Sequence, residues 1–160
     1  EQHKMLDYIS LIKNDDFNLF NKLMDNKITL VSPDAGAEKK TLQVAKYYNG
    51  LDIIYATKVR DTSTGNIKET KITSVPDNYI GQDLLIIDDI CDGGMTFIKL
   101  AEKLKELKPN SINLYVTHGI FSKGYKPLFD AGINRIFTTN SFEQQYEVSG
   151  LRVVDLWNRG

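Results

Sequence analysis

Apolar positions along the chain follow two rhythms that take turns. One is a helical spacing of three and four residues, and the other is a short unbroken apolar run. Met5 to Lys13 and Phe17 to Met24 carry the helical spacing, the second through Phe17, Phe20, Leu23 and Met24. Ile28 to Val31 is a short run after the polar Asp25-Asn26-Lys27 turn and predicts a strand. Ala37 to Tyr48 predicts a helix with Leu42, Ala45 and Tyr48 on one face and Gly50 as its stop. Asp52 to Thr57 predicts the next strand, and the polar stretch Arg60 to Asn66, with Ser63-Thr64-Gly65, predicts a mobile loop. Ile67 to Val75 mixes polar and β-branched residues as an exposed strand does. Asp83 to Ile87 predicts a strand covered on both faces. Met95 to Leu107 is an amphipathic helix (Phe97, Ala101, Leu104, Leu107), and Ile112 to Thr117 is a strand. Tyr125 to Ala131 is a short helix ended by Gly132, and Arg135 to Thr138 and Leu151 to Val154 are the last strands.

Repeated alternation of strand and helix predicts an α/β fold with a mostly parallel central sheet flanked by helices. Residues 1–27 form a helical lead-in and 28–160 the α/β domain. In such sheets ligands bind at the carboxyl ends of the strands, so chemistry is expected directly after them.

Bulk properties narrow the classes. The 160 residues suffice for one domain, and 41% hydrophobic with 26% charged residues is ordinary for a globular protein. A net charge of −1 gives no broad basic footprint, so neither nucleic acid nor a membrane is an expected partner. The single cysteine, Cys91, allows no intrachain disulfide and suits a reducing, cytoplasmic compartment. No apolar run approaches the ~18 residues of a membrane span, and no signal-peptide pattern opens the chain.

The strand Leu84 to Ile87 runs into Asp88-Asp89, then Asp92-Gly93-Gly94-Met95-Thr96, then a helix. Two carboxylates at a strand end offer acceptors for sugar hydroxyls and oxygen ligands for Mg²⁺. Glycines let backbone N–H groups approach an anion, and the helix start adds free donors and a positive dipole end. Thr96 adds a hydroxyl donor. A Gly-Gly before a helix is by itself as often a plain connector as a site. The full string is far more specific.

This segment resembles the phosphoribosyl-diphosphate motif of type I phosphoribosyltransferases and ribose-phosphate diphosphokinases, with two departures: the family usually has Thr at Gly93 and Gly at Met95. Val31 to Lys40 resembles the diphosphokinase pyrophosphate loop, although the family more often has Gly at Ala37. Thr57-Lys58-Val59-Arg60 resembles the start of that family's catalytic flexible loop, and Thr117 to Ser122 is similar to a later diphosphokinase segment. Thr138-Thr139-Asn140 matches the family's next strand end. His118 is given no role, because a structural histidine at a strand end is at least as common.

The resemblance runs from Ile28 to Leu156 and fits the carboxyl-terminal half of a longer enzyme. It implies a type I phosphoribosyltransferase-like fold and transfer of diphosphate from ATP to the 1-hydroxyl of ribose 5-phosphate, giving phosphoribosyl diphosphate for nucleotide biosynthesis. On this reading Lys58 and Arg60 are catalytic. Asp88, Asp89, Asp92, Gly93, Gly94, Met95 and Thr96 bind ribose 5-phosphate. Asp34, Ala35, Gly36 and Ala37 bind the pyrophosphate, and Asp34, Asp88 and Asp89 hold Mg²⁺. The family's habit of oligomerising makes a homo-oligomer an expectation. The alternatives are a phosphoribosyltransferase that consumes phosphoribosyl diphosphate in salvage, and a non-catalytic regulatory homologue. The isolated piece is expected to bind ribose 5-phosphate or phosphoribosyl diphosphate without appreciable turnover, for want of an amino-terminal half.

Overall fold

The structure is a computed structural model that describes residues 2–12, 15–77 and 79–157. Seven strands form one sheet: β1 (Ile28–Ser32), β2 (Ile53–Arg60), β3 (Ile67–Ser74), β4 (Asp83–Cys91), β5 (Ser111–Gly119), β6 (Arg135–Thr139) and β7 (Leu151–Val154). Their order is β3-β2-β1-β4-β5-β6-β7. Every neighbouring pair is parallel except β2 with β3. The helices are α1 (Gln2–Ser10), α2 (Leu19–Met24), α3 (Glu38–Tyr47), α4 (Met95–Lys105) and α5 (Lys126–Asp130).

The two faces of the sheet bury separate cores, as a parallel sheet requires. On one face Val31, Ile54, Ile86, Leu114 and Ile136 meet α4 and α5 through Phe97, Leu100, Leu104 and Leu128. On the other face Leu30, Leu85, Ile87, Tyr115 and Phe137 meet α1, α2 and α3 through Met5, Ile9, Leu23, Val44 and Ala45. β4 and β5 are therefore buried on both sides over most of their length, which explains their unbroken apolar runs. The edge strand β3 carries Lys68, Glu69 and Lys71, mostly exposed, and such charges discourage pairing with another chain. At the amino edge of the sheet, Lys22 of α2 meets Asp83 at 2.8 Å, and Asp83 also accepts from Asn110 Nδ2 and Ser111 Oγ. No helix among the described residues is long and apolar enough to cross a membrane.

Four expectations need correction in detail. The first helix runs Gln2–Ser10, and Lys13 lies outside the described residues. The buried face of α3 is Thr41, Val44 and Ala45, continued by Tyr48, while Leu42 is 40% exposed. Thr41 can take the core position because its hydroxyl donates to the Ala37 carbonyl at 2.8 Å, so no polar atom is left unpaired. The stretch expected to be a loop from Arg60 to Asn66 is the tip of the β2–β3 hairpin, with Arg60 itself ending β2. Asp61 Oδ1 accepts from Ser63 N–H and Oγ and from Thr64 N–H, and Arg60 donates to the Gly65 carbonyl. β4 does not stop at Ile87 but continues to Cys91, because β5 runs beside it as far as Gly119.

Candidate active site at the carboxyl edge of the sheet

β1 pairs with β4 only as far as Val31 opposite Ile86, whereas β4 and β5 stay paired to Cys91 opposite Gly119. Asp88 and Asp89 therefore project beyond the end of β1. The chain leaving β1 fills the adjoining space. Asp34 Oδ1 accepts from Ala37 N–H at 3.0 Å and caps a 3-10 turn over Ala35–Ala37, while Ser32 Oγ donates to the Asp34 carbonyl. Lys58 reaches over from β2 and places Nζ 2.9 Å from Asp34 Oδ2. Lys40, in the first turn of α3, places Nζ 3.2 Å from Asp88 Oδ1 and 2.5 Å from Asp89 Oδ2. Three carboxylates and two ammonium groups thus converge from four elements.

Burial pushes the Asp88 carboxyl up, beyond what the Asp89 N–H and the Lys40 ammonium can offset, and the charge of Asp34 adds to the rise. Burial alone would pull Lys40 down, but its two carboxylate partners prevail and its pKa is raised. Lys40 was not among the residues singled out from sequence. The available signal was its place one turn into the helix that follows the loop, since helical side chains tilt back toward the helix start.

Past Cys91 the chain turns through Asp92 and Gly93 into α4. Gly94 sits at φ 87° as the helix cap, with no side chain capping the first turn. A Cβ there would also lie 3.2 Å from Leu128 Cδ2, so conformation and packing both call for glycine. The amino end of α4 consequently presents uncapped N–H groups directly after the carboxylate pair. Gly93 has open space around it, whereas Met95 is half exposed. Met95 shares a cleft of about 570 Å³ with Arg60, Gly65, Asn66, Ile67 and Lys99. The hairpin tip and the cradle are two walls of that cleft, and Arg60 faces it rather than the carboxylates.

Thr117 to Ser122 supports the cradle from behind. Ile120 and Phe121 N–H donate to the Cys91 carbonyl, and Ser122 N–H donates to that of Asp92. His118 Nδ1 lies 2.8 Å from Ser141 Oγ, joining the ends of β5 and β6. Thr139 Oγ1 donates to the Thr117 carbonyl, and Asn140 is tied to Asp155.

The structure thus brings Asp34, Lys58, Asp88 and Asp89 together, with Asp92 to Thr96 next in the chain. Of the loop residues Ala35, Gly36 and Ala37, the last already donates its N–H to Asp34. A wider cleft of about 670 Å³, between Ile120–Phe129 and Glu143–Val148, takes in Ile120 and Phe121 of the Thr117 to Ser122 segment but none of the residues expected to bind substrate or catalyse. Among the described residues no three His, Cys, Asp or Glu side chains converge as a metal cage. Asp34, Asp88 and Asp89 offer only oxygen donors, the kind Mg²⁺ takes when substrate phosphates and water complete its shell.

Residues 10–150 match the family described as phosphoribosyl transferase domain. The ribose-phosphate pyrophosphokinase of Mycoplasmopsis pulmonis is 33% identical over 128 residues, covering 79% of this chain and 39% of the relative. That of Pyrococcus abyssi is 32% identical over 126 residues, covering 79% and 42%. The chain therefore spans about two fifths of the length of these curated relatives. The solved phosphoribosylpyrophosphate synthetase of Mycobacterium smegmatis superposes with a TM-score of 0.72 at 20% identity, over 96% of this chain and 46% of that one. At that identity the likeness is one of fold.

Proposed function

The chain belongs to the phosphoribosyl transferase domain family and has the type I phosphoribosyltransferase fold, and from that premise we propose that it is the catalytic-site part of a ribose-phosphate diphosphokinase. The observation that carries this reading is the convergence of Asp34 with Lys58 and of Asp88 and Asp89 with Lys40, beside an uncapped helix start. Such a site suits a sugar phosphate at one end and a diphosphate at the other.

In the proposed reaction the ribose 1-hydroxyl oxygen attacks the β-phosphorus of ATP; an O–P bond forms as the bond from the β-phosphorus to the α–β bridging oxygen breaks, AMP leaves with that oxygen, and the hydroxyl proton passes to solvent. Asp88 and Asp89 accept hydrogen bonds from ribose hydroxyls. The N–H groups of Asp92 to Thr96, with the Thr96 hydroxyl, hold the 5-phosphate. The Asp34 to Ala37 loop faces the transferred diphosphate. Lys58 lies closest to that loop and neutralises charge that develops on transfer. Arg60 is assigned to the same phosphates, a role that requires the hairpin to swing from the position in which Arg60 donates to the Gly65 carbonyl. Mg²⁺, held by Asp34, Asp88 and Asp89, would supply charge neutralisation and orientation of the phosphates. Positioning and charge stabilisation of this kind account for most of phosphoryl-transfer catalysis.

Isothermal titration of the chain with ribose 5-phosphate and with phosphoribosyl diphosphate, in Mg²⁺, tests the site. Binding is expected, together with a fall of at least about tenfold in the double variant Asp88→Asn, Asp89→Asn, the loss of about one charge-assisted contact. Failure of the unaltered chain to bind either ligand overturns the assignment. In a full-length relative carrying this segment, release of AMP from ATP separates diphosphokinase activity from release of pyrophosphate from phosphoribosyl diphosphate.

A further inference from the structure

Two adjacent carboxylates at one strand end repel each other and can turn in many ways. Here each is held by the same ammonium group. Lys40 Nζ contacts Asp88 Oδ1 and Asp89 Oδ2, and Asp88 Oδ1 also accepts the Asp89 N–H at 2.8 Å. Among the described residues no protein donor meets the second oxygen of either carboxylate. The Lys40 side chain is only 15% exposed and rises from the first turn of α3, so it is fixed by a helix rather than by a loop.

We propose that Lys40 is a positioning residue of the sugar site: it turns one oxygen of each carboxylate inward and leaves the other two as paired acceptors for a vicinal diol. The inference rests on the ribose-phosphate reading given above and deepens it. A vicinal diol carries two neighbouring O–H donors and no charge, which matches two neighbouring acceptors whose charges are partly compensated. With Lys40 in place the cluster carries one net negative charge rather than two, which lessens repulsion of the phosphate bound a few residues further on. Lys40 also competes with any divalent cation for the inner oxygens, so it favours a sugar over a bare metal ion at this pair.

Lys40→Met keeps the length of the side chain and removes the ammonium, and Lys40→Arg keeps a cation. Each full chain is titrated with ribose 5-phosphate and with 2-deoxyribose 5-phosphate, which lacks one hydroxyl of the diol. The unaltered chain is expected to prefer the diol by about tenfold, the worth of about one such hydrogen bond. Lys40→Met loses that preference, and Lys40→Arg recovers most of it. Mn²⁺ binding without sugar, followed by water proton relaxation, is expected to tighten about tenfold in Lys40→Met, on the order of one removed competing charge. Retention of the diol preference in Lys40→Met overturns the role of Lys40 while leaving the sugar site intact. Absence of ribose 5-phosphate binding in the unaltered chain overturns the sugar site itself. In that event the Mn²⁺ comparison still decides whether Lys40 governs the pair, and unchanged Mn²⁺ affinity refutes it. Lys40→Gln is read in the same way if Lys40→Met does not fold.

Discussion

Gly119 closes β5 at the point where the chain turns to support the cradle, and adding one methyl group there should disturb both. A Cβ at this position would lie 2.2 Å from Phe121 Cε2, with two further ring atoms at 2.8 and 2.9 Å. To reach ordinary contact at 3.4 Å the ring must retreat by about 1.2 Å. The ring lines one wall of the cleft of about 670 Å³, so it can move only by giving up its packing. Phe121 is 7% exposed and belongs to the core beneath α4 and α5, with its ring centroid 4.9 Å from that of Tyr125. Its backbone sits at φ 48°, in the left-handed region, so moving the chain there adds strain. Overpacking of this kind costs about 1–3 kcal/mol. For a chain of this size Gly119→Ala should lower Tm by roughly 2–12 °C in differential scanning calorimetry. Amide exchange should rise at Ile120, Phe121 and Ser122, whose N–H groups hold the carbonyls of Cys91 and Asp92. Adding Phe121→Leu should cost less in the Gly119→Ala background than alone, because the clash has been relieved. A Tm within about 1 °C of the unaltered protein, or strictly additive effects in the double variant, would refute the reasoning.

Three other outcomes are expected. Gly94→Ala should lose roughly 1–3 kcal/mol in urea unfolding, from its φ of 87° and the nearby Leu128, whereas Gly93→Ala should lie within about 0.5 kcal/mol of the unaltered chain, since nothing approaches its Cβ. The Cys91 thiol is pushed up to about 12, by burial and then by the charges of Asp92 and Asp88. Thiolate is then roughly one part in ten thousand at pH 8. Cys91 should react with a disulfide reagent only at the rate of unfolding, and rapid native-state labelling would contradict this. Asp83 would be raised by burial, but Lys22, Ser111 and Asn110 outweigh it and its pKa is lowered in the fold. The stability it contributes is present above the ordinary carboxylate pKa and is lost as pH falls through the lower folded value. Asp83→Asn should therefore melt earlier at pH 7 and lose less stability than the unaltered chain on going into acid. Parallel pH curves for the two proteins would remove Asp83 from the account.

Local pattern determined much of this protein. The exchange of helical and unbroken apolar periods produces the order of elements, because each must bury a stripe or a face, and that alternation admits little besides a parallel sheet. The string from Leu84 to Thr96 marked the cradle for the same reason: an apolar strand, two acids, glycines and a helix start are all contiguous. What the tertiary structure decided depends on partners distant in sequence. β4 extends through Asp88 and Asp89 only because β5 lies beside it, and no local preference makes Asp-Asp a strand. Thr41 rather than Leu42 faces the core because a backbone carbonyl satisfies its hydroxyl. The stretch after Arg60 turns back as a hairpin tip around Asp61, which accepts from Ser63 and Thr64. Lys40 meets Asp88 across 48 positions of chain and Lys58 meets Asp34 across two strands, so the charge balance of the acid pair is a property of the folded sheet edge. The sequence supplied the acids, and the parallel packing of β1 against β4 chose the cations that hold them.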